Sequence, residues 1–455
     1  MFEFVSGIDI LTAVVIDLFV LTACTILLLR YGRLAHSHPA VIYLVFHILV
    51  VPSRLLALLS GAETLFTRWG GLFEPVTESE IVRAALLSDL ALIVMTIAWV
   101  RVAFVSRKKS AQADPDNPAP VTLSLRHIWS VVAVAFPIGV IGLALLGSIP
   151  GIEKPEMDLG DWQESSWLAV TITWAGLTLL ALIYWYGFRL WLMAPMMIYL
   201  FIMGIQGYHR FRVIIPILLM IQIYLDRHQK KWPPLRVIVV ILCVLLLFFP
   251  MKTIGRMAQE GETYFEITQS SSEIVKDALS GQAGDQTVLD QFASTLTLVD
   301  RAGKYYYGAP YLALLTSPIP RQWWPDKPTL SAHIYDFSTP TRPMAELGMV
   351  ASFLGDLYLN FGFFGIVILS YLSAYSLGRV YFLAYDSNYF SILRFSYLMV
   401  ACNLIQIYRD GPMSLIIFTV VNMMPLAMIT FLHILRPVRV KRESVPLYSA
   451  PMSSR

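Results

Sequence analysis

Arginines and large aromatic residues are concentrated in one polar stretch, residues 300–328, which reads DRAGKYYYGAPYLALLTSPIPRQWWPDKP. A guanidinium group binds phosphate oxygens through paired hydrogen bonds, and a flat aromatic ring stacks on the apolar face of a sugar. The stretch therefore predicts a binding site for an anionic glycolipid. The residues assigned to this site are Arg301, Arg321, Lys327, Tyr311, Trp323 and Trp324. An interfacial aromatic belt is the alternative, and it suits the tyrosines at 305–307 better than the two tryptophans, which prolines hold in a stiff loop.

The apolar run that follows, from residue 347 to 383, is too long for one membrane crossing of about 20 residues. Gly362 and Gly365 offer a break, so we expect 347–361 to form a separate helix at the outer surface or in a cavity. A polar stripe at helical spacing runs along this helix through Ser352, Asp356 and Asn360. Asp356 is the candidate general base, and pairing with an arginine is its alternative role. His333 is a second candidate base.

Two turns between apolar helices also carry arginines. The first, GYHRFR, contains Tyr208, His209, Arg210 and Arg212, and precedes a helix of only about 15 apolar residues. Its outer end should lie below the membrane surface, so these residues are predicted to line a recess; binding of lipid headgroups is the alternative. The second turn, YRDGP at 408–412, carries Arg409, for which a functional role and pairing with Asp410 both remain open.

The elements that must position these residues are membrane helices. With 56% hydrophobic and 14% charged residues, the sequence is typical of an all-α polytopic membrane protein. A net charge of +3 without a basic patch argues against nucleic-acid binding. About eleven spans are predicted, near 9–29, 39–60, 82–105, 128–149, 167–186, 190–208, 211–225, 235–251, 363–383, 392–408 and 414–435.

The distribution of charge predicts the orientation of these spans. Lys and Arg collect at alternate connections, which should be cytoplasmic, and acidic residues populate the opposite ones. The N-terminus is then periplasmic, and the first helix is retained because its apolar run is too long for a signal peptide. The predicted organisation is helices 1–8 in 1–250, a periplasmic loop region with amphipathic helices in 251–362, helices 9–11 in 363–436 and a cytoplasmic tail in 437–455.

Charged residues inside the predicted spans usually pair or function. Asp17, Arg54 and Asp89 lie at a similar depth, roughly 9 to 14 Å below the outer surface, so Arg54 is predicted to pair with Asp89 or Asp17. No motif has metal-ligand spacing: the DxD of Asp114 and Asp116 lies in a proline-rich linker. The cysteines at 24, 243 and 402 are expected to be buried apolar residues without disulfides.

Three segments together resemble the Wzy-type O-antigen polymerases: IPRQWWPDKP at 319–328, GMVASFLGDLYLNFGFFG at 348–365 and YRDGP at 408–412, with the HRFR turn in a comparable place. Asp356 stands where relatives often have glutamate. The resemblance covers about a quarter of the chain directly. It implies a GT-C-like glycosyltransferase of the bacterial inner membrane that joins undecaprenyl-pyrophosphate-linked repeat units into O-antigen or exopolysaccharide on the periplasmic face, without metal or other cofactor.

The resemblance also implies roles for residues and partners. Arg212, Arg301, Arg321 and Arg409 would bind the pyrophosphate, Asp356 would deprotonate the acceptor hydroxyl, and Tyr311, Trp323 and Trp324 would stack on sugars. Arg210, Lys327 and His333 complete the predicted binding site. Expected partners are lipid-linked oligosaccharides, membrane lipids and a polysaccharide chain-length regulator, but no nucleic acid. An O-antigen ligase is the alternative enzyme, and a lipid-linked oligosaccharide flippase is the alternative from another class.

Overall fold

The computed structural model describes residues 8–67, 72–111, 125–145, 166–205, 211–239, 287–316, 323–324, 338–344, 349–386, 391–412 and 423–432. These residues are almost entirely helical, and their only β-type pairing is an isolated bridge between Thr339 and Arg342. The helices are α1 (Ile10–Tyr31), α2 (Pro39–Leu59), α3 (Glu78–Ala111), α4 (Leu125–Leu145), α5 (Ser166–Tyr186), α6 (Leu190–Ile205), α7 (Phe211–Arg227), α8 (Val288–Ala302), α9 (Ala309–Thr316), α10 (Ser352–Phe364), α11 (Ser370–Asp386), α12 (Ile392–Asp410) and α13 (Met423–Leu432).

Four helical segments in the described ranges are long and apolar enough to cross a membrane. They are Ile10–Tyr31, Pro39–Leu59, Glu78–Arg107 and Ser352–Tyr385, and shorter apolar helices accompany them. The expectation of an all-α membrane protein is therefore confirmed at this level. The total of eleven spans, the GT-C-like arrangement and the orientation of the termini stay predictions.

Local sequence signals explain where the first two helices begin. The Asp9 carboxylate caps α1 by accepting a hydrogen bond of 2.8 Å from the Thr12 backbone N–H. Helix α2 starts with Pro39, whose missing N–H costs nothing at the first helical position, and His38 Nδ1 accepts from the Ala40 N–H at 3.1 Å. Both caps lie next to long apolar runs, so burial of those runs fixes the helices in place.

The buried apolar residues form two clusters that share α12. One joins α1, α2 and α3 to α8, α10 and α11, and the other joins α4 to α7 with α13. Helix α12 presents Tyr397 and Leu404 to the first cluster and Phe395 and Leu398 to the second. Cys24 and Cys402 are free and buried, as predicted for both, whereas the third cysteine lies outside the described residues.

The predicted partner of Arg54 is wrong. Its guanidinium binds Asp290, the third residue of α8, with Nε and Nη2 donating to the two carboxylate oxygens at 2.8 and 2.7 Å. Asp17 and Asp89 contact His47 instead. Similar depth along the membrane normal does not specify which side chains meet. Helix α8 comes from the polar segment after residue 250, and its mostly buried length packs against α2, α3 and α10.

The break predicted in the long apolar run is confirmed at Gly362. This residue has φ 60° and ψ −148°, a conformation that suits glycine, and the Tyr305 hydroxyl lies 3.0 Å from where a Cβ would be. The break frees carbonyls at the end of α10, and these accept from the backbone N–H groups of Tyr306 and Tyr307. These hydrogen bonds hold α10 against the loop between α8 and α9. A short π-helical stretch, Gly365–Leu369, follows α10 along the chain.

Candidate active site at the meeting of three motif segments

The carboxylate of Asp356 lies inside the protein, on the middle of α10. The side chain is buried, and the Tyr311 hydroxyl of α9 donates a hydrogen bond to its Oδ2. Burial is the main cause that raises the pKa of Tyr311, and the adjacent Asp356 adds to it, so the phenol stays protonated as the donor. Tyr311 thus contacts the candidate base through its hydroxyl, and its expected stacking on a sugar stays a prediction.

The other residues of the predicted polar stripe make local contacts. Ser352 Oγ accepts from the Gly355 N–H at 3.2 Å. Asn360 Oδ1 accepts from the Gly308 N–H at 3.0 Å, and Asn360 Nδ2 donates to the Asp356 carbonyl oxygen of the same helix. All three stripe residues are buried, and so are Leu354 and Leu357 of the same helix. The first part of α10 is thus enclosed, whereas Phe361 and Phe364 near its end are exposed.

The YRDGP turn at the end of α12 lies directly against Asp356. Gly411 has φ 91°, and a Cβ built there would be 3.5 Å from Asp356 Cβ and 3.3 Å from the Ser352 carbonyl oxygen. Glycine is favoured here for its backbone conformation and because the two chains approach so closely. This turn and the α10 motif, more than 50 residues apart in sequence, are thereby in contact.

Arg409 connects the same place to the start of α7. Its guanidinium lies over the ring of Phe211, with Cζ 5.4 Å from the ring centroid, and Nη1 is 3.0 Å from Asp410 Oδ1. Arg409 thus pairs with its neighbour Asp410, and a functional role for it stays a prediction. Arg212 is partly buried and directly follows Phe211. The end of α12 therefore contacts α10 through Gly411 and the start of α7 through Arg409.

Arg301 occupies different surroundings, in the last turn of α8. It donates two hydrogen bonds to Glu74, at 2.7 and 2.5 Å, and its side chain is 53% exposed. The Arg301 hydrogen bond is the main cause that lowers the pKa of Glu74 below its ordinary value. A guanidinium has five N–H donors, so the exposed side chain retains donors for a phosphate group.

Sequence reasoning missed Arg342, a second arginine that contacts Glu74. The side chain is fully buried and contacts Glu80 at 3.1 and 3.2 Å, Glu74 at 3.4 Å and the Pro75 carbonyl oxygen at 3.0 Å. Arg342 stands in STPTRP, between two prolines, where no motif or period marks it. Its burial against acidic residues of the α2–α3 connection depends on contacts that no local pattern encodes.

The ion pairs around Arg301 and the YRDGP turn that carries Arg409 lie on opposite faces of α10. Asp300, next to Arg301, accepts from the Tyr358 hydroxyl at 2.6 Å and pairs with Arg83 at 2.7 Å. Residues two apart in a helix point about 200° apart. Tyr358 therefore faces away from Asp356. The structure places the backbone of the YRDGP turn at Gly411 beside the candidate base and sets Arg301 on the other side of its helix.

The remaining predicted residues divide into two groups. Trp323 and Trp324 are 81% and 40% exposed, so their ring faces are accessible to a ligand. The other four lie outside the described residues: Arg210, Arg321, Lys327 and His333. The DxD aspartates at 114 and 116 also lie outside them.

Compared with family models, with curated proteins and with solved structures, the chain has no match. The resemblance to Wzy-type polymerases therefore stays a prediction from the motif residues.

Proposed function

We propose that this protein is a membrane glycosyltransferase that polymerises undecaprenyl-pyrophosphate-linked repeat units on the periplasmic face of the bacterial inner membrane. The observation that carries the proposal is the contact of the YRDGP turn with the Asp356 helix and with the first residue of α7. Two segments identified from sequence as motifs, the YRDGP turn and the Asp356 helix, are thus in contact beside a buried carboxylate, which supports the proposal.

In the proposed reaction the hydroxyl of one lipid-linked unit attacks the anomeric carbon of the growing chain. A C–O bond forms there as the bond to pyrophosphate breaks, and the hydroxyl proton passes to Asp356. Tyr311 holds the carboxylate in place by its hydrogen bond. Undecaprenyl pyrophosphate leaves with the bonding electron pair, so atoms and charge balance without a metal or redox cofactor.

The arginines are assigned to the leaving group. A departing pyrophosphate gains negative charge in the transition state, and fixed cations that meet this charge lower the barrier more than they tighten substrate binding. Arg409, in the turn that contacts the Asp356 helix, and Arg212, at the start of α7, are assigned to the pyrophosphate. Arg301, on the other face of α10, would contact a different part of the long substrate or of the growing chain. The exposed Trp323 and Trp324 are assigned to sugar rings.

The test is complementation of a deletion strain, with surface polysaccharide separated on gels. A polymerase deletion should show single repeat units joined to the lipid A core, and the wild-type gene should restore long chains. The Asp356→Asn variant should leave single units at normal protein abundance, because the side-chain volume is kept and the base is lost. Glu78→Gln, an exposed carboxylate replaced in the same outer region, is the matched control and should restore long chains.

Other outcomes of the deletion identify the rivals. A ligase deletion would show polymer still bound to its lipid carrier and nothing joined to the core. A flippase deletion would show no repeat units at the outer face. Long chains made by Asp356→Asn would remove Asp356 as the base and leave the pathway assignment to the deletion phenotype.

A further inference from the structure

Three helices bring a histidine and two aspartates together in the interior of the N-terminal bundle. Asp17 of α1, His47 of α2 and Asp89 of α3 are 0%, 2% and 3% exposed. His47 Nε2 lies 2.8 Å from Asp17 Oδ1 and 3.4 Å from Asp89 Oδ1, and one potential ligand atom from each residue lies within 4.8 Å of the others. We call these residues the Asp17/His47/Asp89 cluster.

The cluster has buried carboxylate oxygens without hydrogen-bond partners. Both oxygens of Asp89 and Oδ2 of Asp17 are buried and accept no hydrogen bond. Arg54, two turns further along α2, is occupied by Asp290. With both carboxylates ionised and the imidazole neutral, the cluster would hold two negative charges, and an uncompensated buried charge costs several kcal/mol. A bound divalent cation would balance these charges, as would protons on the imidazole and on one carboxyl.

The ligand types and distances suit a transition metal ion. Zinc binds imidazole nitrogen and carboxylate oxygen at about 2.1 Å, so two ligands of one tetrahedral ion lie about 3.4 Å apart. The His47–Asp89 separation matches this value, and the His47–Asp17 separation needs to widen only slightly. A divalent ion would cancel both carboxylate charges and leave the imidazole neutral. An imidazole nitrogen also favours zinc, copper, iron or nickel over magnesium and calcium.

A small cavity lies on the His47 side of the cluster, and neither aspartate lines it. It has a volume of about 20 Å³ and a mostly apolar lining, in which Ser88, Ser352 and Tyr408 are polar neighbours of His47. A volume of this size holds about one water molecule. Water is the usual ligand that completes a site with three protein ligands.

We propose that Asp17, His47 and Asp89 bind one divalent transition metal ion of the zinc class, which holds α1, α2 and α3 together within the membrane. The site is distinct from the residues around Asp356, so the ion has a structural role and takes no part in sugar transfer. The proposal does not depend on the proposed function.

The test measures metal in the purified full-length protein. Protein prepared in detergent without chelators and dialysed against zinc should contain zinc at about one equivalent per chain, as expected for one three-residue site. The Asp17→Asn/Asp89→Asn variant should fall to the background of the blank. Asp9→Asn is the matched control, because it replaces an exposed aspartate that caps the same helix and keeps a capping oxygen, and it should retain the metal.

A second measurement uses only the wild-type chain, so it remains decisive if the double variant does not fold. Stripping with a strong chelator should lower the thermal unfolding midpoint by several degrees, and added zinc should restore it, because an ion that binds only the folded state stabilises it. Magnesium at the same concentration should restore much less. Wild-type protein without stoichiometric metal and without a zinc-dependent shift would overturn the proposal and leave the cluster neutralised by protons alone.

Discussion

Helix α8 is tied to the N-terminal helices by an arginine and a carboxylate at each end, but the two ends differ in burial. At its start, Asp290 and Arg54 are 0% and 1% exposed. Asp290 also accepts from the Leu65 N–H at 2.9 Å, and Arg54 donates to the Glu63 carbonyl at 2.7 Å. At its end, Arg301 and Glu74 are 53% and 35% exposed and remain in contact with solvent.

The difference in burial distinguishes an ion pair that stabilises the fold from one whose arginine is accessible from solvent. A buried pair with all its polar atoms bonded fixes the position of its helices, and the loss of one partner leaves a charge without compensation. An exposed pair is screened by water and contributes little to stability. The start of α8 therefore holds the fold. The end of α8 presents the Arg301 guanidinium to solvent, where the proposed function assigns it to a phosphate.

The largest expected effect follows removal of the buried guanidinium. Arg54→Met should destabilise the protein by about 3 to 5 kcal/mol, because Asp290 would stay charged and unpaired in the interior. The measurement is the unfolding midpoint of the detergent-purified variant relative to wild type. The double variant Arg54→Met/Asp290→Asn should recover part of the loss, since the introduced amide carries no charge and its oxygen can still accept from the Leu65 N–H. Equal losses in the single and double variants would contradict the architectural role of the pair.

The second effect concerns function and depends on the proposed polymerase activity. Arg301→Gln should reduce the polymerisation rate about 100-fold, or about 3 kcal/mol in the barrier, if its guanidinium meets developing negative charge. The same variant should lose less than about 1 kcal/mol of folding stability because the pair is exposed. The two measurements are the initial rate with lipid-linked repeat units and the unfolding midpoint.

A matched control for that experiment is Arg236→Gln, which removes an exposed arginine at the predicted cytoplasmic side. This variant should change neither the polymerisation rate nor the unfolding midpoint. A wild-type rate in Arg301→Gln would exclude Arg301 from transition-state stabilisation, and a loss of several kcal/mol in stability would make both ends of α8 architectural.

The smallest effect is the pH dependence of the exposed pair. The pKa of Glu74 is lowered in the folded protein, so its contribution to stability is present above the unfolded pKa, about 4.3, and is lost as pH falls through the folded value. Wild type should exceed Glu74→Gln in stability by well under about 1 kcal/mol at pH 7 after solvent screening. The stability advantage of wild type over Glu74→Gln should vanish in acid. The measurement is the unfolding midpoint of both proteins from pH 7 down to below the folded pKa of Glu74. An advantage that grows on acidification would contradict the assigned sign.

Features with a local physical cause could be predicted from the sequence. Long apolar runs require helices, so helices occupy the positions expected for the first seven spans. Gly362 breaks its run because glycine alone tolerates the backbone conformation found there without cost. The sequence also indicates Asp356 as a polar residue on an apolar helix. In the structure this residue is buried, accepts a hydrogen bond from Tyr311 and lies against Gly411.

Partners between distant segments could not be predicted in this way. Arg54 pairs with Asp290 across more than 200 residues, and the assignment to Asp17 or Asp89 failed because similar depth in a membrane does not specify which helices touch. Arg342 and His47 went unnoticed for the same reason, since each acquires its carboxylate neighbours from other helices.

The sequence by itself determined that this is an α-helical membrane protein, where its helices lie along the chain and which polar residues interrupt them. Hydrophobicity, glycine conformation and helix capping act over a few neighbouring residues, so the order of residues is enough to express them. Only the tertiary structure decided which charges meet: Asp290 with Arg54, His47 with two aspartates, and the YRDGP turn with Asp356. Electrostatic partnership depends on distances of a few ångströms between helices, and these are set by the packing of whole apolar faces.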